Sequence, residues 1–419
     1  MNHDIHFSKI FVASTLVSTL VLSGCHSDNE DHQFDHSTQA LVTKTENYAP
    51  EQTETATSVS QKITYRMPAV NGGQTTATAV VMLPKGQMPT DGWPVVVWAH
   101  GTTGVADKCA PSNLKDNNGQ FTLGNALPLV QQLLNQGYAV IAPDYEGLGS
   151  PGIHPFLNAK SESESIISAL KAAKQQYNTQ LSKDWVVVGH SQGGHAAIAA
   201  AERAGEAGLD FKGVVAYAPA SNLGTILLGG YGQVNKALGS SAGIPTAKAV
   251  LPGLQAFSAL VAAGIKQSQP QFTYSTAFTS ERSANIAAIA ETECYPEVAA
   301  DFSKDIEEFY AESSNADQLY PGLDVNFNKI PPIAVFLLDS TIGQKPINYP
   351  VVVLQGVDDT TVPPGATQLL EQQMRSANNN NAKISFTYQP GKDHGTVIAD
   401  ALDPNGQLAN FLKANLPAK

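Results

Sequence analysis

A pentapeptide of the form G-x-S-x-G, at residues 189–193, constrains the fold of this chain more than any other feature. It follows an apolar run at residues 185–188 and precedes a run of small residues at 194–201. Between a buried strand and a helix, the two glycines allow a sharp turn that places Ser191 above the edge of a sheet. The alternative is a glycine-rich turn whose serine has no chemical role, and the flanking strand and helix argue against it.

Strand-like and helix-like segments alternate along most of the chain. Helical spacing of apolar residues covers residues 125–135 and 161–177, and Ser161 with Glu164 has the pattern of a capping box. Continuous apolar runs indicate strands buried on both faces, as in parallel sheets. The alternation predicts a doubly wound α/β sheet, with strands at residues 76–83, 95–98, 138–142, 185–188, 213–218, 350–354 and 384–388.

The regular alternation stops between residues 221 and 348. This stretch has no clear strand, and its apolar residues recur at helical spacing. Its length suits a helical insertion better than a loop. We interpret it as a cap over the sheet edge that carries Ser191, inserted into a core of residues 61–220 and 349–419. A functional cap lines an acyl pocket and excludes water, whereas simple packing on the core is the alternative.

The N-terminal residues have the pattern of a targeting segment. Residues 10–22 form an apolar stretch too short to span a bilayer, which predicts a signal peptide over residues 1–24. Small residues precede Cys25 as in a lipobox, so we expect a lipid-anchored protein of the bacterial cell envelope. His26 follows the cysteine in place of an inner-membrane retention aspartate, which favours the outer membrane; secretion is the alternative. Residues 25–60 are polar and acidic and are predicted to be a disordered tether.

Composition excludes several classes of partner. The 419 residues are 42% hydrophobic, and the formal net charge is −12. No basic cluster is evident, so nucleic acid and anionic membrane surfaces are poor partners, and membrane contact is expected through the lipid anchor only. No metal-ligand spacing and no nucleotide-binding glycine loop occurs, so no metal or cofactor is expected. The sequence does not indicate the oligomeric state.

A serine nucleophile needs a base, and position along the chain selects it. Only two histidines follow Ser191, and the order in this fold class is serine, acid, histidine. His195 lies one turn into the nucleophile helix, which predicts packing or a helix-surface hydrogen bond. His394 lies in a loop after the last predicted strand, which predicts the general base and then the general acid.

The orienting carboxylate is expected after the strand at residues 350–354. The segment Gly356-Val357-Asp358-Asp359 leads into Val362-Pro363 and favours Asp359 as the acid, with Asp358 capping a turn. Asp393 is a sequence neighbour of the histidine and is expected to point to the other side. Asp359 would hold the imidazole in the correct tautomer.

Two backbone N–H groups are expected to bind the oxyanion. One belongs to Gln192, the residue after the nucleophile, and the other to Thr102, in the loop after the strand at residues 95–98. His100 is expected to hold that loop by hydrogen bonding. Asp144 and Glu146 follow another strand and are predicted to brace loops.

Cys109 and Cys294 remain once Cys25 is assigned to lipidation. Their compartment permits a disulfide, and two buried thiols are the alternative.

Several motifs surround the candidate residues. They are His100-Gly101-Thr102-Thr103-Gly104 with Cys109-Ala110-Pro111-Ser112, Pro143-Asp144-Tyr145-Glu146-Gly147-Leu148-Gly149, Gly189-His190-Ser191-Gln192-Gly193-Gly194, and Gly356-Val357-Asp358-Asp359 with His394. Together they resemble the secretory lipases, the lipase-A-like α/β-hydrolases of fungi and bacteria, over roughly residues 60–415. The resemblance implies an α/β-hydrolase fold, ester hydrolysis without a metal cofactor, a helical cap between nucleophile and acid, and a disulfide from the cap to the oxyanion region, Cys109–Cys294. The lipoprotein signal departs from secreted members.

The chain is therefore expected to be a serine esterase or lipase that cleaves a small-molecule or lipid ester through an acyl-enzyme on Ser191. A serine peptidase on the same scaffold is one alternative, and a catalytically silent surface-binding homologue is another. Acyl-chain length and alcohol specificity are left open.

Overall fold

A single sheet of nine strands runs through the described part of the chain, residues 41–380 and 383–418 of the computed structural model. The predicted signal peptide and Cys25 lie outside these residues. The spatial order of the strands, numbered along the chain, is β1-β2-β3-β5-β4-β6-β7-β8-β9. The strands are β1 (Val42–Asn47), β2 (Thr57–Pro68), β3 (Gln74–Pro84), β4 (Trp93–Ala99), β5 (Ala139–Pro143), β6 (Leu181–His190), β7 (Asp210–Tyr217), β8 (Val351–Gly356) and β9 (Ile384–Gln389).

Six neighbouring strands, β5-β4-β6-β7-β8-β9 in spatial order, pair in parallel. Every residue of β4 and β5 is buried, because both faces of the sheet are covered. Along β4, Val95 and Val97 belong to the hydrophobic core on one face, whereas Val96 and Trp98 belong to the core on the other. The prediction of a mostly parallel sheet with doubly buried strands is confirmed.

Strands β1, β2 and β3 pair antiparallel at one edge. Two of them begin within the stretch that was predicted to be a tether, so the prediction is wrong for residues 41–60. The reason is visible in β1, which carries the sequence VTKTEN and is mostly exposed. An exposed edge strand buries few side chains, so its sequence does not need apolar residues at alternating positions.

Five helices cover the sheet. The N-terminus of α2 is capped by Asn158, whose side chain accepts a hydrogen bond from the backbone N–H of Ser161. Helices α2 and α3 contribute to the same hydrophobic core as Val95 and Val97, whereas α1 and α11 contribute to the core on the opposite face. The five are α1 (Leu127–Asn135), α2 (Ala159–Tyr177), α3 (Gln192–Ala201), α10 (Pro364–Ala377) and α11 (Gln407–Asn415).

The segment between β7 and β8, here named the cap, contains six α-helices and no strand. These helices have a hydrophobic core of their own. Phe156 and Val362, from loops of the sheet-forming part of the chain, are also members of this core. Helix α5 is long and apolar enough to cross a membrane, but most of its apolar window is buried against its neighbours. The cap helices are α4 (Leu223–Ala237), α5 (Gly243–Ser268), α6 (Tyr274–Ala277), α7 (Glu281–Ala288), α8 (Tyr295–Ala311) and α9 (Pro331–Asp339).

Candidate active site

The serine of the G-x-S-x-G motif lies at a sharp turn between β6 and α3. Ser191 has a φ of 58° and a ψ of −119°, which is a strained conformation for a residue with a side chain. The flanking glycines make the turn possible. A Cβ on Gly189 would lie 2.0 Å from the carbonyl oxygen of Gly193, and a Cβ on Gly193 would lie 1.9 Å from the carbonyl oxygen of Ala99. Helix α3 therefore begins directly after the serine.

Three side chains from separate strand ends meet at this turn. The Ser191 hydroxyl lies 2.9 Å from Nε2 of His394, and Nδ1 of His394 lies 2.8 Å from Oδ2 of Asp359. Because a carboxylate only accepts, Nδ1 carries the hydrogen and Nε2 accepts the hydroxyl hydrogen. The His394 side chain is 20% exposed, whereas that of Asp359 is fully buried. A hydroxyl held in this way can transfer its hydrogen to the imidazole as it attacks an electrophile.

The carboxylate of Asp359 is fixed by four donors. Its Oδ1 accepts hydrogen bonds from the backbone N–H groups of Thr361 (2.9 Å) and Val362 (2.8 Å). Its Oδ2 accepts from Nε2 of Gln355 (3.1 Å) as well as from His394. Donors on both oxygens fix the direction of the carboxylate.

The two competing aspartates lie elsewhere. Asp358 is exposed, and its backbone N–H donates to the carbonyl oxygen of Lys392 (2.9 Å). Asp393 is also exposed, and its carboxylate accepts hydrogen bonds from the backbone N–H and the hydroxyl of Thr396. The structure thus brings the side chain of Asp359, and that of neither neighbour, within hydrogen-bonding distance of the imidazole of His394.

The predicted oxyanion donors belong to two segments that meet at the serine. Gln192 is the first residue of α3, where backbone N–H groups have no partner within the helix and the helix dipole is positive. Thr102 follows Gly101, where a Cβ would lie 3.8 Å from the Cβ of Ser191. The loop after β4 therefore approaches Ser191 closely.

The loop after β4 is also bonded to the cap. Cys109 and Cys294 form a disulfide, with 5.5 Å between their Cα atoms. Gly104 forms an isolated antiparallel bridge with Cys294, and the backbone N–H of Tyr295 donates to the carbonyl oxygen of Thr103 (3.0 Å). The start of α8 is thus joined covalently and by main-chain hydrogen bonding to the segment after β4.

Replacing Cys109 and Cys294 together by alanine should lower the free energy of unfolding by about 5 kcal/mol, because the disulfide closes a loop of 185 residues in the unfolded chain. Urea unfolding of the oxidised wild-type protein and of the double variant measures the difference. Wild-type protein kept reduced is the matched control and should unfold like the double variant. Equal midpoints for the oxidised and reduced proteins would contradict this prediction.

Two acids and a histidine near the sheet edge brace loops. The carboxylate of Asp144 accepts from the hydroxyl of Thr78 (2.7 Å), and that of Glu146 accepts from the hydroxyl of Ser161 (2.6 Å). Nε2 of His100 lies 3.2 Å from the carbonyl oxygen of Asp144. These groups connect neighbouring loops, as predicted for them. Within residues 41–380 and 383–418, no group of three or more His, Cys, Asp or Glu side chains is arranged to hold a metal ion.

A buried polar network behind the serine was missed by sequence reasoning. Nδ1 of His195 lies 2.6 Å from Oε2 of Glu162, and its Nε2 lies 2.8 Å from the carbonyl oxygen of Ser340. Burial alone would lower the pKa of His195, but the Glu162 carboxylate and the Ser340 carbonyl oxygen outweigh burial and raise it above its ordinary value. The Gln192 side chain donates from Nε2 to Oε1 of Glu162 (2.8 Å) and to Nε2 of His154 (2.7 Å). All five residues are buried.

His154 is neutral in this network, and that makes stability depend on pH. Its Nδ1–H donates to the carbonyl oxygen of Glu146, its Nε2 accepts from Gln192, and burial lowers its pKa to about 4. As the pH falls from about 6.5 to about 4, the unfolded chain takes up a proton at this histidine that the folded chain excludes, which costs roughly 3 kcal/mol of stability.

The His154→Gln variant should therefore lose less stability than the wild type between pH 7 and pH 4. The variant keeps an acceptor for the amide of Gln192 but cannot titrate. Urea unfolding at the two pH values measures both proteins. Identical losses in the two proteins would contradict the assignment of His154 as a neutral buried group.

Comparison with known proteins identifies relatives of this architecture. A family model described as secretory lipase matches residues 115–397. Among solved structures, the chain is similar to Candida antarctica lipase A in its closed state, with a TM-score of 0.67, 18% identity, and coverage of 90% of this chain and 83% of that chain. It is also similar to a ligand-bound form of the rice cell wall degrading esterase LipA from Xanthomonas oryzae, with a TM-score of 0.59, 19% identity, and coverage of 85% and 89%.

No curated protein matches the sequence significantly. The two structural relatives support the fold, and that fold is the α/β-hydrolase fold of lipases and esterases. The family model covers well over half of the chain. On that basis, the chain belongs to the secretory lipase family, whose members are hydrolases of esters.

Proposed function

We propose that this protein is a serine carboxylic-ester hydrolase that forms an acyl-enzyme on Ser191. The observation that carries the proposal is the unbroken series of hydrogen bonds from the Ser191 hydroxyl through His394 to buried Asp359. In this arrangement Asp359 would fix the hydrogen of His394 on Nδ1 and leave Nε2 as the base. The family supports ester hydrolysis, and the geometry supports a serine nucleophile.

The reaction would proceed in two halves. The Ser191 oxygen attacks the acyl carbonyl carbon while Nε2 of His394 takes the hydroxyl hydrogen. The tetrahedral oxyanion is held by the N–H groups of Thr102 and Gln192, each of which contributes about 3–4 kcal/mol of transition-state stabilisation. The imidazolium then protonates the leaving alcohol, and a water molecule attacks the acyl-enzyme along the same route in reverse.

The substrate would be a neutral small-molecule or lipid ester. One structural relative is named a lipase and the other a cell wall degrading esterase, which supports an ester as the reactive group for this chain. The helical cap between β7 and β8 is the part of the chain that would line the acyl site.

Covalent labelling with a fluorophosphonate tests the proposal. We expect one equivalent of label on the peptide that contains Ser191, together with hydrolysis of p-nitrophenyl esters and glycerides over a series of acyl lengths. Replacement of exposed Ser385 by alanine is the matched control and should leave both unchanged. Faster cleavage of peptide amides than of esters would favour a serine peptidase. A folded protein that takes no label would favour a silent surface-binding homologue.

We also propose that Cys25 is lipidated and holds the enzyme in the bacterial cell envelope at the outer membrane. The support is the residue pattern before this cysteine. The Cys25→Ala variant should move from the membrane fraction to the soluble fraction with unchanged specific activity. Wild-type protein found wholly in the soluble fraction would favour secretion.

A further inference from the structure

One histidine beside the nucleophile has no part in the proposed chemistry. His190 ends β6 directly before Ser191 and is partly buried. Its Nε2 lies 2.8 Å from the backbone carbonyl oxygen of His394, and the centroids of the two imidazole rings are 4.7 Å apart. The side chain therefore contacts the histidine of the triad at both its backbone and its ring.

The contact fixes the hydrogen on His190. A carbonyl oxygen only accepts, so Nε2 carries the hydrogen and Nδ1 is left with its lone pair. Burial and the neighbouring His394 together lower the pKa of His190 to about 4. The ring is thus a neutral donor near neutral pH. A charged ring at this distance would oppose the imidazolium that forms on His394 during the reaction.

The loop that carries the base is held at several points. The backbone N–H of Asp358 donates to the carbonyl oxygen of Lys392, which fixes the loop two residues before the histidine. Asp359 holds His394 at the ring, through Nδ1. His190 holds the same residue at the other end, through its backbone carbonyl. The contacts of His394 with Asp359 and with His190 together restrict the position of its backbone and the rotation of its imidazole.

We propose that His190 is a positioning residue, whose neutral imidazole donates to the His394 carbonyl and holds Nε2 of His394 in line with the Ser191 hydroxyl. The proposal rests on the function proposed above. Reaction rates respond strongly to such alignment, since a displacement of about 1 Å lowers them by about 10²-fold. Because His190 precedes the nucleophile in the chain, one turn then positions the nucleophile and the base together.

A matched set of variants separates the donor from the bulk of the ring. His190→Gln keeps an N–H donor at a position similar to Nε2, whereas His190→Leu has comparable size and no donor. We expect kcat for a p-nitrophenyl ester within about threefold of wild type for the glutamine variant, and about 10–100-fold lower for the leucine variant. KM should change less than about threefold in both, because the contact orients the base and does not bind substrate. His190→Met, measured in parallel, is a second donor-free variant of different shape.

Proton NMR of the hydrogen between His394 and Asp359 gives a readout that needs no turnover. Wild type and His190→Gln should show one sharp downfield resonance, and the donor-free variants a broadened or shifted one. Thermal unfolding confirms that each variant is folded. Donor-free variants with wild-type kcat and an unchanged resonance would overturn the proposal. So would a folded glutamine variant as impaired as the leucine variant.

The outcome for the wild type distinguishes this proposal from the proposed function. If wild-type protein neither hydrolyses esters nor takes the fluorophosphonate label, then the proposed function fails, whatever the variants do. If wild-type protein hydrolyses esters and takes the label, but the His190 variants with and without a donor have the same kcat, then the function stands and the positioning role of His190 fails.

Discussion

The Asp359→Asn substitution should lower kcat for ester hydrolysis by about 10³–10⁴-fold with little change in KM. The local hydrogen bonds explain why an almost isosteric change is so damaging. Two backbone N–H groups donate to Oδ1 of Asp359, so the amide oxygen of asparagine would occupy that site. Its NH₂ group would then face Nδ1 of His394. The imidazole would have to carry its hydrogen on Nε2, where it could no longer accept the hydrogen of Ser191.

The neighbouring aspartate provides a matched control. Asp358→Asn removes the same charge one residue away, from an exposed side chain with no contact to the imidazole of His394 in the described structure. We expect its kcat within about twofold of wild type. Steady-state kinetics on one p-nitrophenyl ester, with both variants and wild type side by side, measures the difference. An Asp358→Asn variant as impaired as Asp359→Asn would mean that net charge, and not tautomer control, explains the loss.

Ser191→Ala should have the largest effect, a loss of about 10⁵–10⁶-fold in kcat, because it removes the hydroxyl that lies 2.9 Å from Nε2 of His394. The variant should unfold at the same temperature as wild type, since the change removes one oxygen atom and no packed group. Hydrolysis is measured with enough enzyme to detect a residual rate, and the fluorophosphonate label is followed in the same samples.

The exposed serine on β9 serves as the comparison. Ser385→Ala should retain full activity and full labelling. A Ser191→Ala protein that keeps more than a few per cent of wild-type activity, once contamination has been ruled out by repeated preparation, would contradict the acyl-enzyme mechanism.

The sheet and the three residues around the nucleophile could be predicted because each has a local signal. Strands buried on both faces are continuous apolar runs, and Ser191, Asp359 and His394 follow β6, β8 and β9 in that order along the chain. Parallel strands end at one edge of a sheet, so side chains distant in sequence meet there. The choice between Asp358 and Asp359 depended on a short motif, and the hydrogen bonds agree with it.

Features that depend on tertiary contacts could not be read from a local pattern. Ser161 and Glu164 have the spacing of a capping box, yet Asn158 caps α2 and the Ser161 hydroxyl donates to Glu146 instead. A buried acceptor from another loop outweighed the local preference of serine for a cap. Glu162 lies in a segment rich in serine and glutamate that reads as solvent-facing, and its burial depends on partners from distant parts of the chain.

His190 illustrates the same difficulty at shorter range. The middle residues of a G-x-S-x-G motif carry no pattern that shows where their side chains point. The contact with the carbonyl oxygen of His394 joins residues separated by 204 positions. Only the folded chain brings them together.

The attachment of α8 to the loop after β4 restricts how the molecule can admit a bulky substrate. Residue 294 is bonded to that loop at its side chain and along its main chain, so a displacement of one would displace the other. Any widening of the approach to Ser191 would therefore have to leave this point in place. Helices α4 and α9, which carry the exposed apolar residues Leu228 and Leu338, have no covalent bond to the loop within the described residues.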